Sequence, residues 1–281
     1  MKLYYLFNRT TIISIIFILL IVGLYYYYNS TLFSLTETFN VNEDTYTAKI
    51  LPQNTDKIPL NIFQTWKTFQ LPPKMKKCVE SIKHLNPNFT HHLYDDNMCR
   101  NFIIQYYHKN VIDAYDKLNP GAYKADLWRY CILYIKGGIY LDIKYQNCPG
   151  FNFIDLIDNE HYVKDIPQSG SGVYNALMIC RPGNPTLLKS INKIINNTKS
   201  HYYGENPLSP TGPLLLKTIF SEQDYNYMDM HLSEYNSNTA IFHNNKPILV
   251  MYPEYRREQN AIINYKSYAN LWRDKEVYDK N

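Results

Sequence analysis

The stretch AYKADLWRYCILYIKGGIYLDIKY, residues 122–145, constrains the fold more than any other part of the chain. Its first half contains good helix formers and no breaker until Gly137-Gly138, and residues 139–145 then alternate apolar and polar positions. A helix stopped by a double glycine and followed at once by a strand is the junction of an α/β domain. The acid in that strand, Asp142, falls where such folds place their ligands, in the crevice beyond the carboxyl ends of the strands. The remaining pattern agrees. Strands are expected over 60–64, 91–94 and 173–180, and helices over 75–84, from the caps at Asp95-Asp96-Asn97 to about Tyr107, over 185–197 and over 212–220. Residues 240–243 and 248–252 flank Asn244-Asn245 as a hairpin. No internal repeat is visible.

With 281 residues, 45% of them hydrophobic and 19% charged, the chain can bury a sizeable core in one large domain plus appendages. Its 29 basic and 25 acidic residues form no long basic run, which excludes nucleic acid as a partner. Cys78, Cys99, Cys131, Cys148 and Cys180 show no C-x-x-C pair and no zinc-type spacing. Buried free thiols are the expectation, ahead of a disulfide such as Cys78 to Cys99.

Residues 10–28, TTIISIIFILLIVGLYYYY, carry no charge. At ~1.5 Å per residue such a helix nearly spans a ~30 Å hydrocarbon core. The run exceeds the ~7–15 apolar residues of a cleaved signal peptide. It also lacks a small-x-small cleavage site and ends in an aromatic cluster, Tyr25 to Tyr28. A retained transmembrane signal-anchor is expected. Lys2 and Arg9 precede it, and Glu37, Glu43 and Asp44 follow it, so residues 1–9 form a cytosolic tail in a single-pass type II topology. Residues 29–57 read as a polar stem, and residues 58–281 as a domain in the lumen of the Golgi or endoplasmic reticulum, or on a virus or host-derived membrane. Asn29, Asn88 and Asn196 stand in N-glycosylation triplets.

Asp126 and Arg129 are three apart and share one helix face near Tyr130. A carboxylate accepts and a guanidinium donates, so the two side by side can grip vicinal sugar hydroxyls. The spacing alone also suits a surface ion pair contributing ~0.2–0.5 kcal/mol. Asp142 can hold a ribose hydroxyl, or a divalent cation that neutralises a diphosphate leaving group; by itself it also suits a turn.

Taken together, I-P-L-N-I-F-Q-T-W at 58–66, K-A-D-L-W-R-Y at 124–130 and G-G-I-Y-L-D at 137–142 resemble glycosyltransferase family 32. These are the DXD sugar transferases that include the yeast initiating α-1,6-mannosyltransferase and mannosyl inositol-phosphoceramide synthase subunits. Asn175, R-P-G-N-P at 181–185 and T-G-P at 211–213 extend the likeness more weakly, to about residue 220. The resemblance implies a GT-A fold with a mixed central sheet, a GDP- or UDP-hexose donor, a glycan or glycolipid acceptor at a membrane, and retention of anomeric configuration. It also implies that Gln64, Thr65 and Trp66 wall the nucleotide pocket, with Trp66 stacked on the base. Asp126 and Arg129 would hold the hexose, and Asp142 would stand near ribose and a Mn²⁺ or Mg²⁺ ion. Tyr130, Gly138, Asn175, Gly212 and Trp272 would complete the donor site.

Two departures fall on the metal. The second acid of DXD is replaced in Asp142-Ile143-Lys144, and lysine is a poor ligand for these ions. The histidine that many family members place shortly before a tryptophan is missing from residues 265–272. Either Asp142, phosphates, water and Ser267 hold the cation, or Lys144 supplies positive charge in its place. A catalytically inactive sugar-nucleotide or glycan-binding membrane protein of the same fold is the alternative reading.

Overall fold

The computed structural model describes residues 21–25, 47–53, 55–262 and 266–279. Contacts divide the chain into one unit over 1–46, in which residues 21–25 are helical, and a second over 47–281. The rest of the expected 10–28 anchor and the stem up to residue 46 lie outside the described residues. Among the described residues no helix is long and apolar enough to cross a membrane. The last part of the expected stem belongs to the second unit. Ala48 bridges to Tyr107, and the buried Thr47 hydroxyl bonds Asn192 Oδ1 at 2.8 Å.

Among the described residues, nine strands form one mixed sheet in the order β2-β1-β3-β6-β5-β7-β8-β9-β4. They are β1 (Asn61–Thr65), β2 (Thr90–Tyr94), β3 (Gly138–Leu141), β4 (Tyr145–Asn147), β5 (His161–Lys164), β6 (Val173–Cys180), β7 (Met230–Tyr235), β8 (Asn238–His243) and β9 (Lys246–Met251). The helices are α1 (Pro73–Leu85), α2 (Asp96–Tyr106), α3 (Lys109–Lys117), α4 (Gly121–Lys136), α5 (Pro185–Lys199), α6 (Pro213–Lys217), α7 (Glu222–Tyr227), α8 (Tyr255–Ile262) and α9 (Tyr268–Arg273). Strands β1 and β2, and β1 and β3, run parallel, whereas β6 is antiparallel to β3.

Residues 139–145 do not form the single strand that their alternation suggests. The chain leaves β3 at Asp142, whose N–H donates to Ala176 O at 2.8 Å, and a turn closes with Tyr145 N–H on Asp142 O at 3.2 Å. Tyr145 then opens β4, which pairs with β9 at the far end of the sheet. This connection dictates the overall curvature. Strands β3 and β4 are six places apart, about 29 Å in a flat sheet at ~4.8 Å per strand. Residues 141 to 145 can cover at most about 15 Å. The sheet therefore curls until its third strand, β3, and its last, β4, meet beside Asp142.

Strand alternation sorts the core onto two sides. Phe63, Tyr140, Met178 and Cys180 face the helical layer, while Ile62, Ile139, Leu141, Leu177 and Ile179 pack on the other side. Helix α4 is buried nearly all round, with Leu127, Trp128, Tyr130, Cys131, Ile132 and Leu133 fully covered. A helix covered on nearly every face is a central element, and burying each such apolar side chain contributes about 1.5–3 kcal/mol. It stops at Gly137, whose N–H bonds Leu133 O at 2.8 Å with φ at 60°. Gly138 follows at φ 110°, where a Cβ would stand 2.7 Å from Asn61 O. Both glycines are demanded by backbone conformation and by crowding, from Pro182 at Gly137 and from the start of β1 at Gly138.

The expected helix over 212–220 is reduced to α6, and α3, β5, α7, β7, α8 and α9 are additions to the elements read from periodicity. The Asn244-Asn245 hairpin forms as expected, with φ of 49° and 61° at its two turn residues. All five cysteines are free and buried.

Candidate active site

Helix α4 carries Asp126 and Arg129 on one face, with Arg129 Nη2 3.3 Å from Asp126 Oδ1. The same guanidinium reaches the end of β3, where Nη1 lies 3.4 Å from Asp142 Oδ1, and it donates to Asn175 O of β6 at 2.7 Å. It also rests 4.3 Å from the centre of the Tyr140 ring. Arg129 thus ties the helix to two adjacent strands.

Behind it lies a closed polar network. Asp126 accepts from Asn175 Nδ2 at 2.9 Å and from the Thr211 hydroxyl at 2.7 Å. Asn175 Nδ2 also donates to Tyr130 OH at 2.9 Å, and that hydroxyl donates to Thr211 O at 3.2 Å. Gly212 lets the loop pass close, since a Cβ there would sit 3.3 Å from Asp126 Oδ2. Burial pushes the Asp126 carboxyl above its usual range, against the pull of Arg129. For Asp142 burial also opposes ionisation, but Lys144 and Arg129 outweigh it and hold the carboxyl below the usual range.

A cavity of about 500 Å³ opens onto this cluster. Of the residues singled out from sequence, Thr65, Trp66, Arg129, Asp142 and Ser267 line it. Asp126, Tyr130, Asn175 and Gly212 stand behind Arg129 in the network just described. Gln64 is fully buried, with Oε1 2.7 Å from His91 Nε2 on the neighbouring strand, so it joins β1 to β2 and lines no part of the cavity. Gly138 lies at the opposite end of β3 from Asp142, where it serves the backbone. Trp272 is also placed elsewhere: its indole N–H donates to Tyr203 O at 2.7 Å, and its ring packs on the helical core.

The cavity has a second wall that sequence reasoning missed. Tyr255 and Arg256 from α8 and Tyr268 from α9 close it. The only local signal there is Ser267, which caps α9 by accepting from Asn270 N–H at 3.3 Å. Helix α8 is strongly polar, with Arg256, Arg257 and Glu258 in a row and Tyr255 its one buried residue, so no apolar run marks it in the sequence.

The side chains at Asp142 suit an ammonium better than a divalent ion. Asp142 Oδ1 accepts from Tyr140 OH at 2.8 Å, and Oδ2 accepts from Lys144 Nζ at 2.6 Å. Both oxygens are committed, two cations already flank the acid, and the Ser267 hydroxyl is engaged as a cap. A Mg²⁺ or Mn²⁺ ion wants oxygen ligands free of competing positive charge, and this donor set does not fit one. Among the described residues one other group has metal-ligating types in reach of a common point: His161 Nδ1 and His243 Nε2, each 3.1 Å from an Asp229 oxygen. None of these three lines the cavity. His161 pairs with Ile179, near the end of β6 remote from Asn175.

Residues 72–146 match the family described as glycosyltransferase sugar-binding region containing DXD motif, a span that includes α4, β3 and Asp142. The chain is 31% identical over 180 residues to inositol phosphoceramide mannosyltransferase 3 of Schizosaccharomyces pombe, covering 64% of this chain and 49% of that one. It is 35% identical over 91 residues to the initiation-specific alpha-1,6-mannosyltransferase of Candida albicans, covering 30% of this chain and 24% of that one. The chain thus spans about half or less of the length of these curated relatives. Among solved structures, the PaToxG glycosyltransferase aligns with a TM-score of 0.49 and 16% identity, over 70% of this chain and 79% of that one.

Proposed function

We propose that this protein transfers a hexose from a nucleoside-diphosphate sugar to a hydroxyl of a glycan or glycolipid, on a GT-A type domain held at a membrane by residues 10–28 in type II topology. The observation that carries the reading is Arg129, which lines the cavity while pairing with both Asp126 and Asp142. It presents a fixed guanidinium donor beside the Asp142 carboxylate at the cavity wall, with Asp126 bracing it from behind, and a donor next to an acceptor is what sugar hydroxyls satisfy. Trp66 lines the same cavity, with a buried indole N–H that lacks a hydrogen-bond partner, and it serves as the stacking wall for the base. The names of the relatives favour mannose as the hexose and an inositol phosphoceramide or a glycan as acceptor.

In the reaction the bond from anomeric carbon to phosphate oxygen breaks, and its electron pair leaves with the diphosphate. The acceptor oxygen bonds to that carbon on the same face, giving retention, and its proton passes to the departing phosphate. This chain's part is to orient the hexose through Arg129, which Asp126 braces from behind, and to exclude water behind Trp66 and Tyr255. DXD transferases commonly use a divalent metal; the Mn²⁺ or Mg²⁺ expected from the motif meets here an acid already paired with Lys144.

The test is a panel of GDP- and UDP-hexoses offered to the purified full chain, with released nucleoside diphosphate as the readout. Turnover of one donor that Arg129→Ala and Asp142→Asn abolish supports the reading. Tight donor binding without turnover points to the inactive binding protein. Absence of both binding and turnover sinks the assignment.

A further inference from the structure

We propose that the diphosphate leaving group is stabilised without a divalent cation, by the Lys144 ammonium seated on Asp142 where a DXD enzyme would hold its metal. The proposal rests on the transferase reading above and deepens it. Lys144 occupies the position of the missing second acid, two residues after the first. Its side chain does not turn out to solvent. It folds back so that Nζ lies 2.6 Å from Asp142 Oδ2, with 14% of the side chain exposed. The rings of Tyr145 and Tyr174 flank the ammonium at 5.4 Å and 5.3 Å. Asp142 in turn lines the cavity. One carboxylate therefore separates a fixed positive charge from the space in which a diphosphate must sit.

Charge bookkeeping points the same way. Asp126 and Asp142 are matched by Arg129 and Lys144, so the cluster is neutral before a donor arrives. A divalent ion added to a neutral cluster would leave an excess of two positive charges and would have to displace Lys144 from Asp142. With aspartate at 144 the same cluster would hold three acids and one base, a deficit of two that a divalent ion offsets. Lysine at this position removes the electrostatic reason for the metal and supplies part of its charge.

During transfer the ammonium neither gains nor loses a proton. The carbon–oxygen bond to the phosphate breaks with its electron pair on the phosphate oxygen, and the acceptor's oxygen and proton are redistributed as given above. Lys144 contributes by attracting the negative charge that accumulates on the diphosphate.

The experiment uses the EDTA-treated full chain and the variants Lys144→Ala, Lys144→Arg and Lys144→Asp, each checked for cooperative unfolding. Two readouts are taken with and without added Mn²⁺: turnover of the preferred nucleotide-sugar, and calorimetric binding of the matching nucleoside diphosphate. Wild-type turnover and binding are expected to be the same in EDTA and in Mn²⁺. Lys144→Ala should lose about a hundredfold in kcat and about tenfold in diphosphate affinity, with Lys144→Arg recovering much of both. Lys144→Asp should be inert in EDTA and regain binding and turnover with Mn²⁺. Wild-type turnover that EDTA abolishes and Mn²⁺ restores would overturn the proposal, as would Lys144→Ala retaining wild-type affinity and rate. If no donor is turned over, the transferase reading fails by itself. The binding arm then decides the charge substitution: metal-independent diphosphate affinity lost in Lys144→Ala upholds it, and affinity requiring Mn²⁺ rejects it.

Discussion

Arg129 Nη1 stands 3.4 Å from Asp142 Oδ1, joining the buried helix α4 to the point where the chain leaves β3. The pair is held by the double-glycine junction, which lets the helix end and the strand begin without a spacer. Because Arg129 also contacts Asp126 and Asn175 O, its removal strands two acids and a carbonyl. Arg129→Ala is expected to destabilise the fold by about 3–5 kcal/mol, the usual cost of breaking a buried pair, and to abolish turnover. Urea denaturation measures the first. A loss below about 1 kcal/mol would show that the cluster is not coupled.

Gly138 should tolerate no side chain. Its φ of 110° and the 2.7 Å approach of a Cβ to Asn61 O make Gly138→Ala both strained and overpacked. A cost of about 3 kcal/mol or more is expected, with KM for the donor unchanged in whatever fraction folds. A specific rise in KM in a stably folded variant would return this glycine to the donor site.

The two tryptophans should separate cleanly. Trp66 lines the cavity, so Trp66→Ala should raise KM about tenfold or more through lost base stacking, with a modest effect on melting temperature. Trp272 bonds Tyr203 O away from the cavity, so Trp272→Ala should lower stability by about 1–3 kcal/mol and leave KM unchanged. The reverse pattern would show that the cavity has been assigned to the wrong wall.

Acid should weaken the fold through His91. Burial, with help from His92 and Lys83, lowers its pKa from 6.5 to about 4. The unfolded chain then binds a proton at a higher pH than the folded one, so stability is full above about pH 6.5, declines as pH falls toward 4, and levels off below. Allowing for the part exposure of His91, the loss across that window is about 1–2 kcal/mol. His91→Gln, which keeps a donor for Gln64, should flatten this part of a urea-midpoint against pH curve. An unchanged slope would assign the pH dependence to other groups.

Much of the candidate site was legible in residues 122–145 because its determinants are local. Helix propensity, two glycines and strand alternation specify α4, the stop and β3 within a few residues of each other, and they set Asp126, Arg129 and Asp142 at a shared end of the sheet. The resemblance also put Gly138 in the donor site, whereas it opens β3 at the end away from Asp142, since a glycine required by its backbone looks identical in sequence to one required by a ligand. The local signals ran β3 through Asp142 into Tyr145, because alternation continues across the break and does not report which strand each residue pairs with.

By itself, then, the order of the amino acids determined the α/β character and the helix–glycine–strand junction, both matters of short-range periodicity, while the lysine in place of a second acid at 144 was read from the resemblance to the family motif. Tertiary structure alone decided that the sheet curls, that α8 and α9 supply the second wall of the cavity, and that Lys144 turns back onto Asp142. Those outcomes depend on contacts between distant segments, such as β4 with β9 and the Glu258 carboxylate of α8 accepting from Lys74 and Met75 N–H at the start of α1. Periodicity identifies which face of an element is buried, but the partner of that face emerges only when loops have closed and buried charges have found their counterparts.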